Sequence, residues 1–368
     1  MHLKKLNLVH FKNHREADLT LSKRVNCFTG DNGAGKTNIL DAIYYLAFTK
    51  SYFNPIDSQN IAHEEGFFVI EGSFELKGKK HNIYCGMKRG DKKVFKRNKK
   101  KYDKFSDHIG LLPLVFVSPA DEELIYGGSE IRRKFLDGVI SQFNKSYLEH
   151  LIQYQKALLQ RNKLLKTFAE NRHFDQDALE VWDMQLVQHG TPVHEARKSF
   201  TGDFIHVFQK YYELLGSDRE KAQVTYKSKL NDNTFQDLLD AAQNDDARKL
   251  YTTVGIHKDD LSFTLNGYSL KKTGSQGQKK SFLTALKLAQ FEFIKNKKDT
   301  SPILLLDDIF DKLDKTRVKA LMKIVSKEDF GQVFVTDTSA LRVIEMFDNF
   351  ETEIRLFDVT PDEILLTR

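Results

Sequence analysis

The sequence predicts an α/β fold in which one mixed domain is interrupted by a mostly helical insertion. Three observations carry that prediction. Short β-type runs open and close the chain, residues from about 130 to 250 read as successive helices, and a glycine-rich turn at Gly30–Thr37 joins a strand signal to a helix signal. A chain of 368 residues is long enough for two domains or one large bilobal one.

Leu3–Val9 alternates polar and apolar residues, Arg24–Thr29 runs into the glycine-rich turn, and Phe67–Leu76 alternates again. Asn82–Lys88 and Lys92–Arg97 read as a hairpin around Arg89-Gly90-Asp91, and Leu111–Val117 is an apolar strand. One helix interrupts this part at about 36–48, where Ile39, Leu40, Ile43, Leu46 and Ala47 recur at helical spacing. Leu148, Leu151, Ile152, Leu158, Leu159, Leu164 and Leu165, and then Phe204–Leu215, mark the helical insertion. Ser217–Asn233 is polar and reads as a loop or a short hairpin. Leu261–Leu265 is a strand ending in the hairpin turn Asn266-Gly267. A helix over about 276–295, a buried strand Ile303–Leu306, a helix over about 315–326 and a strand Gln332–Thr336 complete the pattern. The expected domains are therefore 1–120 plus 251–368, split in sequence, and a helical lobe over 121–250.

Composition excludes several classes. Apolar residues make up 40% and charged residues 29%, too apolar for a disordered chain. No apolar run approaches the roughly 18 residues of a membrane span, and Met1–Asn7 alternates instead of forming a secretion signal. Cys27 and Cys85 have no CxxC spacing, so neither a disulfide framework nor a zinc site is expected, and a cytoplasmic location follows by elimination. The net charge of +6 is unevenly spread: residues 88–104 hold ten Lys or Arg against Asp91 and Asp103, a local +8 that leaves the rest at −2. Two readings of this segment stand. Lys92, Lys93, Lys96, Arg97, Lys99, Lys100 and Lys101 form a DNA-contacting surface, or they are edge lysines that keep a solvated hairpin from pairing.

Gly30-Asp31-Asn32-Gly33-Ala34-Gly35-Lys36-Thr37 fits G-x-x-x-x-G-K-S/T. The glycines let consecutive backbone N–H groups turn inward around phosphates, Lys36 reaches the β- and γ-phosphates, and Thr37 puts its hydroxyl on Mg²⁺. ATP and Mg²⁺ are thus the expected ligands. Such a loop needs an acid for the metal shell and a group to orient water. Ile303–Leu306 followed by Asp307 and Asp308 supplies both, with Asp307 on the metal and Asp308 as general base. Ser275-Gln276-Gly277-Gln278 opens the 276–295 helix, where Ser275 is a helix cap, a γ-phosphate contact, or both. Lys312-Leu313-Asp314 follows the acidic strand, and about 270 residues separate the phosphate loop from that strand.

At these residues the chain resembles an ABC-type P-loop ATPase head with a helical second lobe. Ser275, Gly277 and Gln278 resemble the signature Leu-Ser-Gly-Gly-Gln, with Gly274 where Leu is usual. The resemblance implies two heads sandwiching two ATPs between the Lys36 loop of one and Ser275–Gly277 of the other. Further stretches resemble the RecF family of bacterial recombination-repair proteins almost end to end. They are Leu6–His14, Ser118–Asp121 through Arg132–Asp137, Trp182–Leu186 with Gly190, and Gly255-Ile256-His257-Lys258-Asp259-Asp260-Leu261. That family likeness implies a head without the long coiled coil of SMC relatives, a homodimer formed on ATP, and slow hydrolysis that resets it. It also implies binding to double-stranded DNA near single-strand gaps, RecR as mediator partner, RecO and RecA downstream, and no membrane partner. By the same resemblance Lys12 and Asn13 lie against the nucleotide, and His257–Asp260 support the site's edge or form an ordinary charged turn. Arg132 and Arg133 contact phosphate or pair with acids of the lobe. Three departures stand out: Thr336-Asp337-Thr338 where a switch histidine is usual, no glutamine at Ser118–Glu122, and Asp308 where Glu is common. An ABC transporter subunit and an ATP-binding scaffold without turnover are the alternatives.

Overall fold

The computed structural model describes residues 1–215, 220–309, 315–326, 330–347 and 353–368. The chain forms two compact units. The first comprises Met1–Asp121, Tyr211–Ser217 and Lys280–Arg368, and the second Glu122–Lys210 and Asp218–Lys279.

The first unit holds two six-stranded sheets. With strands numbered in chain order, β1 (His2–Phe11), β2 (His14–Thr20), β4 (Phe67–Leu76), β5 (Lys79–Lys88), β6 (Val94–Arg97) and β7 (Lys100–Lys101) make an antiparallel sheet in the order β2-β1-β4-β5-β6-β7. The second sheet has the order β15-β14-β3-β13-β12-β8 and is parallel except for its last hairpin. Its strands are β3 (Val25–Thr29), β8 (Leu114–Val117), β12 (Ile303–Leu306), β13 (Val333–Asp337), β14 (Ile354–Val359) and β15 (Ile364–Leu366). The strands β3, β13 and β12, and the edge strand β8, are buried at every position, as parallel strands covered on both faces must be. Helix α1 (Lys36–Phe48) packs into one core with both sheets. Its Ile39, Leu40, Ile43 and Leu46 join Leu6, Leu8, Phe11 and Phe68 of the first sheet and Phe28, Leu305, Phe334 and Phe357 of the second.

Register fixes the site. Thr29 stands opposite Asp337, and Leu306 opposite both Val117 and Val335, so the carboxyl ends of β3, β13, β12 and β8 fall on one edge of the sheet. Ligands of open α/β sheets bind outside such carboxyl ends.

In the second unit the short helix α2 (Glu123–Tyr126) precedes α3 (Ser129–Ile140), α4 (Lys145–Asn171), α5 (Gln176–Leu214, whose residues from Tyr211 belong to the first unit) and α6 (Phe235–Lys249). These accompany a three-stranded antiparallel sheet, β11-β10-β9, of β9 (Ala222–Lys227), β10 (Asp260–Leu265) and β11 (Tyr268–Ser269). The short α7 (Leu270–Thr273) leads to α8 (Gln276–Lys298), whose residues from Lys280 onward belong to the first unit. The remaining helices are α9 (Lys315–Val325) and α10 (Ala340–Phe347). The return to the first unit thus comes at Lys280 and not at 251, because β10 pairs residue for residue with β9, from Asp260↔Lys227 to Leu265↔Ala222. Among the described residues no helix is long and apolar enough to cross a membrane.

Candidate nucleotide site

Strand β3 ends at Thr29 and delivers Gly30, Gly33 and Gly35 with φ of 141°, 86° and 107°, conformations that side chains disfavour. Two of these glycines also answer to close neighbours. A Cβ on Gly30 would lie 2.2 Å from the carbonyl oxygen of Val359, and one on Gly35 would lie 2.4 Å from Asn13 Nδ2. Gly35 is the N-cap of α1, and no side chain caps that helix. Its first-turn amides are therefore available to an anion, which the helix dipole also favours. Lys36 Nζ donates to the carbonyls of Gly30 (2.6 Å) and Asp31 (2.7 Å) and so curls the loop around its own cation.

The acidic strand meets this loop as its sequence suggested. Thr37 Oγ1 donates to Asp307 Oδ1 at 2.8 Å, across 270 residues of chain. Asp307 is 3% exposed, and burial raises its pKa above the usual carboxylate range. Hydrogen bonds from Thr37 and Thr336 and the charge of Lys36 oppose that rise, whereas the charge of Asp308 adds to it. Asp308 has φ of 48°, a left-handed conformation costing about 1–2 kcal/mol for a residue with a Cβ. Its N–H donates to Thr336 Oγ1 at 2.9 Å, and the same hydroxyl donates to Asp307 Oδ1 at 2.8 Å. Asn32, Gly33, Gly35, Lys36, Thr37, Asn38, Asp308 and Thr336 line one cavity. Asn38 is the residue that sequence reasoning missed, and Thr336 is the one of Thr336–Thr338, where a switch histidine is usual, that lines the cavity. Thr336 follows the apolar run of the strand beside the acidic one.

Other expected residues fall elsewhere. Lys12 does not line the cavity: its Nζ pairs with the buried Asp41 at 2.6 Å and lies over the Phe53 ring. Nor does Asn13, which donates to Ala34 O (3.0 Å) and accepts from Asn38 Nδ2 (2.6 Å), gripping the loop instead of lining the space it encloses. Ser275, Gly277 and Gln278 sit in the second unit at the start of α8. There Ser275 N–H donates to Gln278 Oε1 (2.6 Å) and Gln278 N–H to Ser275 Oγ (3.2 Å), a reciprocal capping box. Arg132 forks onto Asp260 (2.6 and 3.0 Å) and Arg133 donates to the carbonyl of Asp259 (2.6 Å), so both are tied to their own unit. Asp259 itself meets Arg197 at 2.9 Å, while His257, held down to a pKa of about 4 chiefly by burial, bonds Tyr154 OH at 2.7 Å. At Ser118–Glu122 no glutamine stands. The buried Asp121 accepts from Lys287 (2.6 Å), Tyr52 OH (2.7 Å) and Ser118 N–H (2.8 Å). Lys312-Leu313-Asp314 lies outside the described residues.

The basic segment divides in two. Lys92, Lys99, Lys100 and Lys101 are exposed, Lys96 lies over Tyr84, and Arg97 donates to His81 Nδ1. Lys96 stands directly opposite Lys101 and Arg97 opposite Lys100, a placement of like charges that costs stability unless an anion is near. Lys93 is removed from the set: its ammonium turns inward to Asp57 Oδ2 (2.7 Å), Thr49 O (2.6 Å) and Tyr45 OH (3.1 Å) and is not available to DNA.

A glycine cradle at the carboxyl edge of a parallel sheet, with paired acids just past a strand of that sheet, is the site of a P-loop ATPase and fits an ABC-type head. Residues 2–361 match the model of the RecF/RecN/SMC N-terminal domain. The chain is 50% identical to the DNA replication and repair protein RecF of Flavobacterium johnsoniae over 359 residues, 98% of this chain and all of that one. It is 48% identical to the protein of the same name from Bacteroides thetaiotaomicron, covering 98% and 97%. Two solved structures of the recombination mediator protein RecF of the RecFOR pathway, one with ATPrS and one with ATP, each superpose with a TM-score of 0.89 at 29% identity. They cover this whole chain and 98% and 97% of theirs. An SMC head shares the fold alone, with a TM-score of 0.58 at 14% identity. The chain belongs to the RecF family of DNA replication and repair proteins, within the ABC/SMC-type ATPases.

Proposed function

We propose that this protein is an ATP-dependent DNA clamp. Its head binds Mg·ATP at Gly30–Thr37, pairs with a second copy while ATP is bound, and resets by slow hydrolysis. The observation that carries the reading is the hydrogen bond between Thr37 Oγ1 and Asp307 Oδ1 at 2.8 Å. Two hard oxygens at that spacing suit neighbouring positions in the octahedral shell of Mg²⁺, whose ligands lie about 2.0–2.1 Å away. Bound Mg²⁺ would neutralise charge on the phosphates. The amides of Gly33–Thr37 cradle those phosphates, and Lys36 exchanges its bonds to Gly30 O and Asp31 O for phosphate oxygens. Asp308 orients the attacking water and takes its proton. Its side chain is shorter than Glu, which fits slow turnover.

Ser275 and Gly277 of the second copy close the γ-phosphate side, each copy completing the site of the other. The relatives solved with ATP support the ligand, and their place in the RecFOR pathway supports RecR as partner with RecO and RecA acting downstream. The opposed like charges of β6 and β7 support duplex DNA as the polyanion, held at single-strand gaps in the cytoplasm during replication repair and the SOS response. The test is retention on gapped DNA with and without ATP. Wild type is retained only with ATP, and Lys36→Arg, though folded, is not; retention of that variant equal to wild type refutes the clamp.

A further inference from the structure

The turn between β1 and β2 and the first residue of β2 line none of the cavity, yet these three consecutive residues each hold the element that does. Lys12 pairs with Asp41 of α1. Asn13 donates to Ala34 O at 3.0 Å and accepts from Asn38 of α1 at 2.6 Å. His14, 5% exposed, sets its Nε2 3.0 Å from Gly35 O. A carbonyl can only accept, so Nε2 carries the proton.

In a trans peptide the C=O and N–H point in opposite directions. The oxygen of Ala34 shares its peptide plane with the N–H of Gly35, and that of Gly35 with the N–H of Lys36. Fixing those two oxygens therefore aims two of the amides that cradle an anion. The two bonds differ in weight. Gly35 O already accepts from the first-turn donors Asn38 N (2.9 Å) and Ile39 N (3.3 Å), so His14 reinforces it. Asn13 is the donor to Ala34 O, a peptide that the helix ladder leaves free. The fit is close, since a Cβ on Gly35 would come within 2.4 Å of Asn13 Nδ2 and 2.8 Å of His14 Cε1.

We propose that Asn13 and His14 are positioning residues of the phosphate cradle. They act as a clamp that turns the Gly35 and Lys36 amides toward the polyphosphate of a nucleotide without touching the nucleotide. This rests on the nucleotide reading above and adds to it the device that pre-shapes the loop.

The test measures dissociation constants of fluorescent ATP and ADP in EDTA and in Mg²⁺, turnover at saturation, and melting temperature. The full-length variants are Asn13→Ala, His14→Leu and His14→Gln. Losing one donor to a buried carbonyl is expected to weaken both nucleotides about tenfold in Asn13→Ala and severalfold in His14→Leu, with and without Mg²⁺. Saturated turnover stays within about twofold of wild type, and His14→Gln, which keeps an N–H donor, recovers most of the affinity. Unchanged affinity in Asn13→Ala and His14→Leu overturns the clamp, as does a loss confined to turnover. Equal losses in His14→Gln and His14→Leu that track a lowered melting temperature assign the turn to stability alone and also overturn it. Wild type that binds neither nucleotide fails the nucleotide reading itself and is recognised by that result.

Discussion

At Gly35 and at Ser275 a helix begins beside glycine-bearing backbone, and each start carries one of the motifs that suggest a phosphate site. The two are finished differently. The start of α1 has no side-chain cap and no acidic residue in its first turn, and Lys36 bonds only backbone carbonyls of its own loop. The start of α8 is closed on itself, with Ser275 and Gln278 satisfying each other's amides and Gln278 Nε2 donating to Glu220. An open helix start holds an anion without giving up a cap. A self-capped start must surrender a cap worth about 1 kcal/mol before it can donate to anything else. On the proposed reading the phosphate loop serves a single copy, and the Ser275 turn would acquire a ligand only when a second copy brings one.

Lys36→Ala should weaken ATP binding to a dilute, unpaired copy about a hundredfold, because charge-assisted bonds to phosphate are lost. Ser275→Ala should leave that affinity within about twofold, which titration of both variants below the pairing concentration decides. Ser275→Ala should instead lower hydrolysis about tenfold or more at high protein concentration and cost about 1 kcal/mol of stability through the lost cap. A variant that weakens ATP binding without touching concentration-dependent turnover would reverse the roles of the two helix starts. Thr336→Val removes the hydroxyl that bridges Asp307 and Asp308. It should slow turnover about tenfold at unchanged ATP affinity, and Thr336→Ser should restore it. Neutralising Lys99, Lys100 and Lys101 with Gln should flatten the salt dependence of DNA binding by about two to three in log–log slope. Lys93→Met should leave that slope alone and lower the melting temperature, because Asp57 loses its buried partner.

How much was legible followed from where the chemistry resides. Gly30–Thr37 and Asp307-Asp308 could be read because the glycines, the lysine and the acids carry their function in residue type and spacing. Strand β10 was also recognised, by its alternating Leu261, Phe263 and Leu265, but alternation names no partner, and its pairing with β9 moved the unit boundary. Strand β14 escaped because Arg355 and Asp358 break the apolar run of an otherwise central strand beside β3. Lys93 misled because charge along a sequence says nothing about which side of a strand turns inward. Arg132 and Arg133 answered to Asp260 and the Asp259 carbonyl, partners more than a hundred residues away that no local pattern reveals.

The pairing of two copies is tested most directly by the mass of Asp308→Asn in solution with saturating ATP and gapped DNA. That variant keeps the cradle and lacks the proposed base, so bound ATP should persist. Twice the chain's 42.6 kDa, about 85 kDa of protein per complex, is predicted, falling to one copy when Ser275→Arg is added or ATP is replaced by ADP. One copy per complex at every protein concentration with ATP bound would contradict the account.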